Sequence, residues 1–181
     1  MTNGERRLLN PDSPLGRLIA APIRSGEVLW IGIRPQRRQP LLPLTNAALD
    51  PEQGLLGDHG QGRNRQVTLI QAEALSAIAA YLDRATIDPS LLRRNILIRG
   101  INLHALKEQS FRLGSAILRT TGECHPCSRM EELLGPGGYN AVRGHGGITA
   151  RVLVAGHVQI GDAVTRIDDD PLDAAIKPAL L

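Results

Sequence analysis

Apolar residues in this chain fall into short runs, cut by glycine, proline and charge, and the runs carry two different periods. "LGRLIAAPIRS" (15–25) and "EVLWIGIRP" (27–35) are rich in β-branched and aromatic residues and predict two β segments, split at Ser25-Gly26. Pro35, Pro40 and Pro43 then predict a loop carrying Arg37 and Arg38, and "GLLGDHGQGRNR" (54–65) predicts a glycine-punctuated loop ahead of a short strand, "QVTLI" (66–70). The period changes in "QAEALSAIAAYLDRA" (71–85). There Leu75, Ile78, Ala79 and Leu82 recur at i, i+3, i+4 and i+7 and give a helix one apolar face. "RRNILIRGINL" (93–103) and "FRLGSAILRTTG" (111–122) each return to strand. "SRMEELL" (128–134) predicts a short helix stopped by Gly135-Pro136-Gly137-Gly138. The run "ITARVLVAGHVQIGDAVTRI" (148–167) predicts a hairpin of three strands with turns at Ala155-Gly156 and Gly161-Asp162.

Many short strands with one or two inserted helices, not alternating with them, predict a mainly β (α+β) fold: a closed or half-closed β-barrel rather than a doubly wound sheet. No internal repeat is visible. The domain is expected over residues 15–168, after a loose polar lead-in (1–14) and before a short acidic tail with a weak helix (169–181).

Composition narrows the function classes. The 181 residues suffice for one core, and 42% hydrophobic with 22% charged residues fits a soluble globular chain. Aromatics at 2% leave the core to Leu, Ile, Val and Ala. The net charge of +3 is carried almost wholly by arginine, since Lys107 and Lys177 are the only lysines. Arginine's planar fork suits oxyanions, but no basic cluster interleaved with aromatics points to nucleic acid. No apolar stretch approaches the ~20 residues a bilayer requires, and "MTNGERRLLNPDSP" has no signal-peptide core. The expected compartment is the cytoplasm, where a C-x-x-C pair is reduced, metal-binding or catalytic rather than a structural disulfide.

Both cysteines lie in "TGECHPCSRMEELLGPGGYNAVRGHGG" (121–147). A structural zinc site would need two more ligands, and His125, His145 and His157 form no H-x3–5-H pair. A thioredoxin-like dithiol has the right local order of strand, cysteines and helix, without the βαβ unit that should precede it. A single thiolate is the third reading. Ser128 would cap the helix with Glu131 three residues on, the unpaired first-turn N–H groups would favour an ionised Cys127, and Arg129 would add positive charge. Such a sulfur serves as a soft metal ligand or a nucleophile.

"GLLGDHG…RQVTLIQAEAL", "LRRNILIRGINL", "FRLGSAILRTTGECHPCSRMEELL" and "GHGGITARVLVAGHVQIGDAV", in that order, resemble the MOSC domain over roughly residues 19–167. The MOSC domain is the C-terminal module of molybdenum-cofactor sulfurases and also occurs in the amidoxime-reducing component and in stand-alone bacterial proteins. The resemblance implies a β-barrel-like fold and binding of the molybdenum cofactor (molybdopterin), a pterin dithiolene bearing a phosphate. By the same resemblance Cys127 falls at the position of the cysteine that ligates molybdenum, whereas Cys124 has no counterpart in the amidoxime-reducing enzymes. Arg93 and Asn95 match an Arg-x-Asn stretch that contacts the cofactor, with Arg94 between them. Arg129, and His145 and Arg143 on the glycine-rich loop, are further candidates for cofactor or substrate. His59 and Asp58 belong to the resemblance, Asp58 as a turn-fixing residue.

The implied activity is a molybdenum-dependent oxidoreductase that reduces small N-hydroxylated compounds with Cys127 on the metal. "GPGG" and "GHGG" lack the G-x-G-x-x-G spacing, so electrons would come from a separate reductase. Enzymatic relatives carry an extra N-terminal β domain; without it the pterin would be exposed or closed in by a partner in a homodimer. The alternative is a sulfur carrier or cofactor-delivery module, with a persulfide on Cys127 that Cys124 could resolve.

Overall fold

The structure, a computed structural model, describes residue 10 and residues 12–60 and 64–168. Most of the expected lead-in and all of the expected tail from residue 169 onward lie outside the described residues. In chain order the strands are β1 (Gly26–Ile33), β2 (Leu42–Leu44), β3 (Asn46–Asp50), β4 (Gly54–Leu55), β5 (Val67–Gln71) and β6 (Ile96–Arg99). They are followed by β7 (Ser110–Leu113), β8 (Ala116–Glu123), β9 (Ile148–Val154), β10 (Gly156–Gln159) and β11 (Ala163–Ile167). The helices are α1 (Pro14–Ala20), α2 (Ala72–Tyr81), α3 (Ser128–Leu134) and α4 (Gly138–Val142).

Hydrogen bonds run β11-β7-β8-β9-β5-β6-β1, and β11 pairs back onto β1. Seven strands therefore close into a barrel, as the strand-rich pattern predicts. β2 hangs from β1, and β10-β3-β4 form a small second sheet. The β5–β6 pair is parallel, with α2 as its crossover. β5 and β6 are buried on both faces, which is why they read as continuous apolar runs. Leu69, Ile96 and Ile98 point into the barrel with Phe111 and Leu118, while Ile70 and Leu97 pack outside it against Ile78 of α2 and Met130 of α3.

Several expectations are corrected. Residues 15–20 are helical, not strand: Ser13 Oγ accepts from the Gly16 amide and Pro14 opens α1, a start signal that overrides the β-branched content. The proline-rich stretch after Pro35 contains β2 and β3. Pro43 is tolerated because β2 is an edge strand, paired among the described residues only with β1. Residues 111–122 are not one strand but the hairpin of β7 and β8, turned at Gly114, where a Cβ would lie 2.2 Å from the His157 carbonyl oxygen. The three C-terminal strands form, yet not as a hairpin: β10 leaves β9 to pair with β3, and β11 lies between β7 and β1. The glycine-rich loop after residue 135 contains α4.

Candidate functional site

The loop between β8 and α3 carries both cysteines, and Arg94 fastens it. This guanidinium, 5% exposed, donates from Nη2 to the Cys124 carbonyl at 3.0 Å, from Nε to the Gly146 carbonyl at 2.7 Å and from Nη1 to the Leu92 carbonyl at 2.8 Å. Burial pushes its pKa down, and the sulfurs of Cys124 and Cys127 act in the opposite direction. The Cys124 amide donates to the Gly147 carbonyl at 2.8 Å. No side chain fits here: a Cβ on Gly146 would lie 2.0 Å from the Cys124 carbonyl oxygen, and one on Gly147 (φ +80°) 1.9 Å from that of Leu69.

The two cysteines, both free, part company. Cys124 is 4% exposed, with its Sγ 3.8 Å from Arg65 Nη2, whereas Cys127 is exposed. Cys127 itself is the N-cap of α3, and Ser128 is the first helical residue. The expected capping box is therefore absent. The Glu131 carboxylate reaches the other way, accepting from the amides of Gly137 and Tyr139 at 2.8 Å each. Those two bonds hold α4 on the end of α3 and keep the Glu131 carboxyl below its ordinary pKa.

The Arg-Arg-Asn stretch enters β6 beside this loop. Arg93 adopts a left-handed backbone (φ 59°) that turns its half-buried side chain away from that of Arg94 and lets Nη1 donate to the Gln39 carbonyl at 3.3 Å. Its pKa is lowered first by burial, then by the like charges of Arg34 and Arg129, while Cys127 acts in the opposite direction. Arg34, Arg93, Arg129 and Cys127 thus share one electrostatic neighbourhood. Arg129 pairs through Nη1 with Glu132, and among the described residues its buried Nε has no hydrogen-bond partner.

Asn95 works underneath. It is 1% exposed, its Oδ1 accepts from the amide and hydroxyl of Thr68, and its Nδ2 donates to the Gly32 carbonyl and to Asp58 Oδ1, both at 3.2 Å. Its amide capacity is filled by the protein. Asp58, 2% exposed, also accepts the Arg34 amide at 2.6 Å and the Gly60 amide at 2.9 Å, the turn-fixing bond expected of it. His145 packs against the Tyr81 ring at 5.4 Å, and Arg143 Nη1 donates to Asn140 Oδ1.

The structure therefore gathers Cys127, Arg93 and Arg129, uses Arg94 and Asn95 to hold the loops around them, and sets His145 on an aromatic face. Sequence reasoning missed Arg34. Its only signal is that β1 ends where its partner β6 begins, with the Gly32 amide on the Asn95 carbonyl at 2.7 Å. Among the described residues no three His, Cys, Asp or Glu side chains converge on a metal position. The cavity behind the cysteine loop, lined by His104, Cys124, His125 and Gly146, holds about 10 Å³, too small for a pterin-sized molecule.

The MOSC domain family model matches residues 56–165. Among solved structures, the YuaD protein from Bacillus subtilis is 21% identical with a TM-score of 0.67, covering 78% of this chain and 94% of that one. YiiM from Geobacillus stearothermophilus is 14% identical (TM-score 0.64, 78% and 75% covered), and YiiM from Escherichia coli 15% identical (TM-score 0.61, 78% and 69% covered). At these identities the likeness is one of fold. The search of curated proteins gives no match. Among the described residues no helix is long and apolar enough to cross a membrane.

Proposed function

The chain belongs to the MOSC domain family, a family associated with molybdenum-cofactor chemistry, and on that premise we propose that it is a molybdenum-cofactor-binding oxidoreductase that reduces N-hydroxylated compounds. The observation that carries this reading is the separation of the two thiols: Cys127 is exposed in the neighbourhood of Arg93 and Arg129, while Cys124 is buried behind the loop.

The donor set fits the cofactor. A pterin dithiolene brings its own two sulfurs, so the protein needs to add one soft ligand rather than a cluster, and an exposed thiol is that ligand. Arg93 would take the phosphate as a fork, and Arg129 Nε, buried and without a partner among the described residues, would donate beside it. Bound there, the cofactor supplies two-electron oxygen-atom chemistry at molybdenum.

The chain's own contribution is position. Arg94 ties the carbonyls of Leu92, Cys124 and Gly146 together, which fixes the loop that presents Cys127. Asn95 and Asp58 lock β6 to β1 and to the 56–60 loop below the arginines. His145, steadied on Tyr81, is offered as a substrate-side contact. The open side over Cys127 would admit flat bases, and a separate reductase would deliver electrons there. The persulfide-carrier reading drew on a second thiol at hand; a Cys124 sulfur turned inward toward Arg65 gives it little support.

The test is reduction of benzamidoxime or hydroxylaminopurine by protein from a cofactor-replete host, with dithionite-reduced methyl viologen as donor. Turnover is expected in the wild type and in Cys124→Ser and not in Cys127→Ser. Equal turnover in Cys127→Ser, or an added sulfur on a metal-free Cys127 found by mass spectrometry, would overturn the reading.

A further inference from the structure

α1 is a helix of seven residues that the described part of the chain leaves almost uncovered. Helices this short are marginal in water without packing, yet among the described residues α1 buries only Gly16. Leu15, Leu18 and Ile19 stand 55%, 73% and 52% exposed. The helix is held by its ends. Ser13 caps the start, and Arg166 of β11 grips the finish. Its Nη1 donates to the Ile19 carbonyl at 3.2 Å, and its Nη2 to those of Ala20 and Ala21 at 2.8 and 3.1 Å.

Between α1 and the short 3-10 helix Leu103–Leu106 runs a groove of about 620 Å³. It is lined by Leu18 and Ile19 from α1, by Ala105, and by Ile23, which packs against the barrel core. Lys107 and Glu108 add one charge of each sign.

The described chain ends beside this groove. Arg166 Nε donates to Asp168 Oδ1 at 2.6 Å, so one guanidinium touches both the last described residue and the end of α1. The sequence continues as "DDPLDAAIKPALL" over residues 169–181. A stretch of this length reaches about 40 Å when extended, against a helix diameter of about 10 Å. Leu172, Ala175 and Ile176 recur at i, i+3 and i+4, the spacing of a single apolar face. Asp169, Asp170 and Asp173 are opposite in sign to Lys107, and Lys177 to Glu108.

We propose that residues 169–181 of this same chain occupy the groove, seating Leu172 and Ile176 against Leu18, Ile19 and Ile23 with the aspartates toward Lys107. The tail thereby covers the apolar face of α1 and straps that helix to the barrel. None of these residues belongs to the cysteine loop or the arginine motif, so the inference is independent of the cofactor reading above.

The test uses the full-length chain with p-benzoylphenylalanine in place of the exposed Leu18. Unlabelled protein is mixed with an equal amount of nitrogen-15 protein, irradiated, digested and read by mass spectrometry. The expected product joins position 18 to a peptide within 169–181, both halves carrying the same isotope. A link to residues 1–9, a link of mixed isotope, or no link at all overturns the proposal. Hydrogen exchange of the peptide 15–23 is a second readout that needs no photochemistry. Leu172→Asp and Ile176→Asp should each speed it about tenfold, the scale of one lost aliphatic contact. Ile160→Asp, at an exposed apolar residue outside the groove, should leave it unchanged. Exchange unaltered in both tail variants, or equally faster in Ile160→Asp, contradicts the docking.

Discussion

Arg94 Nη2 donates to the carbonyl of Cys124, 30 residues along the chain, at 3.0 Å. This bond joins the arginine motif at the start of β6 to the cysteine loop after β8, and it makes the second arginine of the motif a fastener of the site's frame.

Replacing Arg94 by Met should therefore leave the carbonyls of Cys124 and Gly146 short of a donor. The cost is expected to be about 3 kcal/mol, the scale of stranding buried polar groups, read as a lowered midpoint in urea. Lysine should rescue little, since one ammonium cannot span three carbonyls placed for a fork. An unchanged midpoint in Arg94→Met would remove Arg94 from this role.

Gly146→Ala and Gly147→Ala should each destabilise the fold by ~1–3 kcal/mol, because the added methyl meets backbone rather than a flexible side chain. Gly144→Ala is the milder control: it is strained by its φ of +76° alone, with no atom of the described residues within 4 Å of the new methyl. Thermal melts of the three variants should rank accordingly.

Glu131 gives the α3–α4 junction a pH dependence of definite sign. Its carboxyl pKa is lower in the folded chain than in the unfolded one, owing to the amides of Tyr139 and Gly137. The unfolded state therefore binds more protons in acid. The stabilisation is complete above the ordinary glutamate value of about 4.3 and is lost as pH falls through the lower folded value. The melting temperature of the wild type should exceed that of Glu131→Gln at pH 6, and the gap should close toward pH 3. A gap independent of pH would contradict this.

Thiol labelling separates the cysteines. Iodoacetamide should modify Cys127 in the native protein and Cys124 only once denaturant opens the loop, as peptide mass spectrometry would show. Labelling of both at equal rates in the native state would mean that Cys124 is not sealed as the structure has it.

The sequence carried the barrel and the α3 boundaries clearly, and the reasons are local. α2 has a 3.6-residue apolar stripe, and Gly135-Pro136 stops α3. Pairing partners were not legible. β10 reads as the return arm of β9, and only the three-dimensional packing of β3 beside it shows otherwise. At the site, Cys127 stood out by type and spacing, and the Arg-Arg-Asn stretch only through the resemblance to the MOSC domain. What spacing does not reveal is direction: the left-handed backbone at Arg93 parts it from Arg94, so adjacent arginines take opposite duties. Arg34 was hidden because its meaning depends on Asp58, 24 residues away, and on Asn95 beyond it.

The central claim, that Cys127 rather than Cys124 is the protein's sulfur ligand to molybdenum, is tested most directly by metal stoichiometry. Wild type, Cys127→Ser and Cys124→Ser should be purified side by side from a cofactor-replete host and analysed for molybdenum by plasma mass spectrometry. The account predicts near-equal molybdenum in wild type and Cys124→Ser and loss of it in Cys127→Ser. Molybdenum retained undiminished by Cys127→Ser, or lost only from Cys124→Ser, would contradict it.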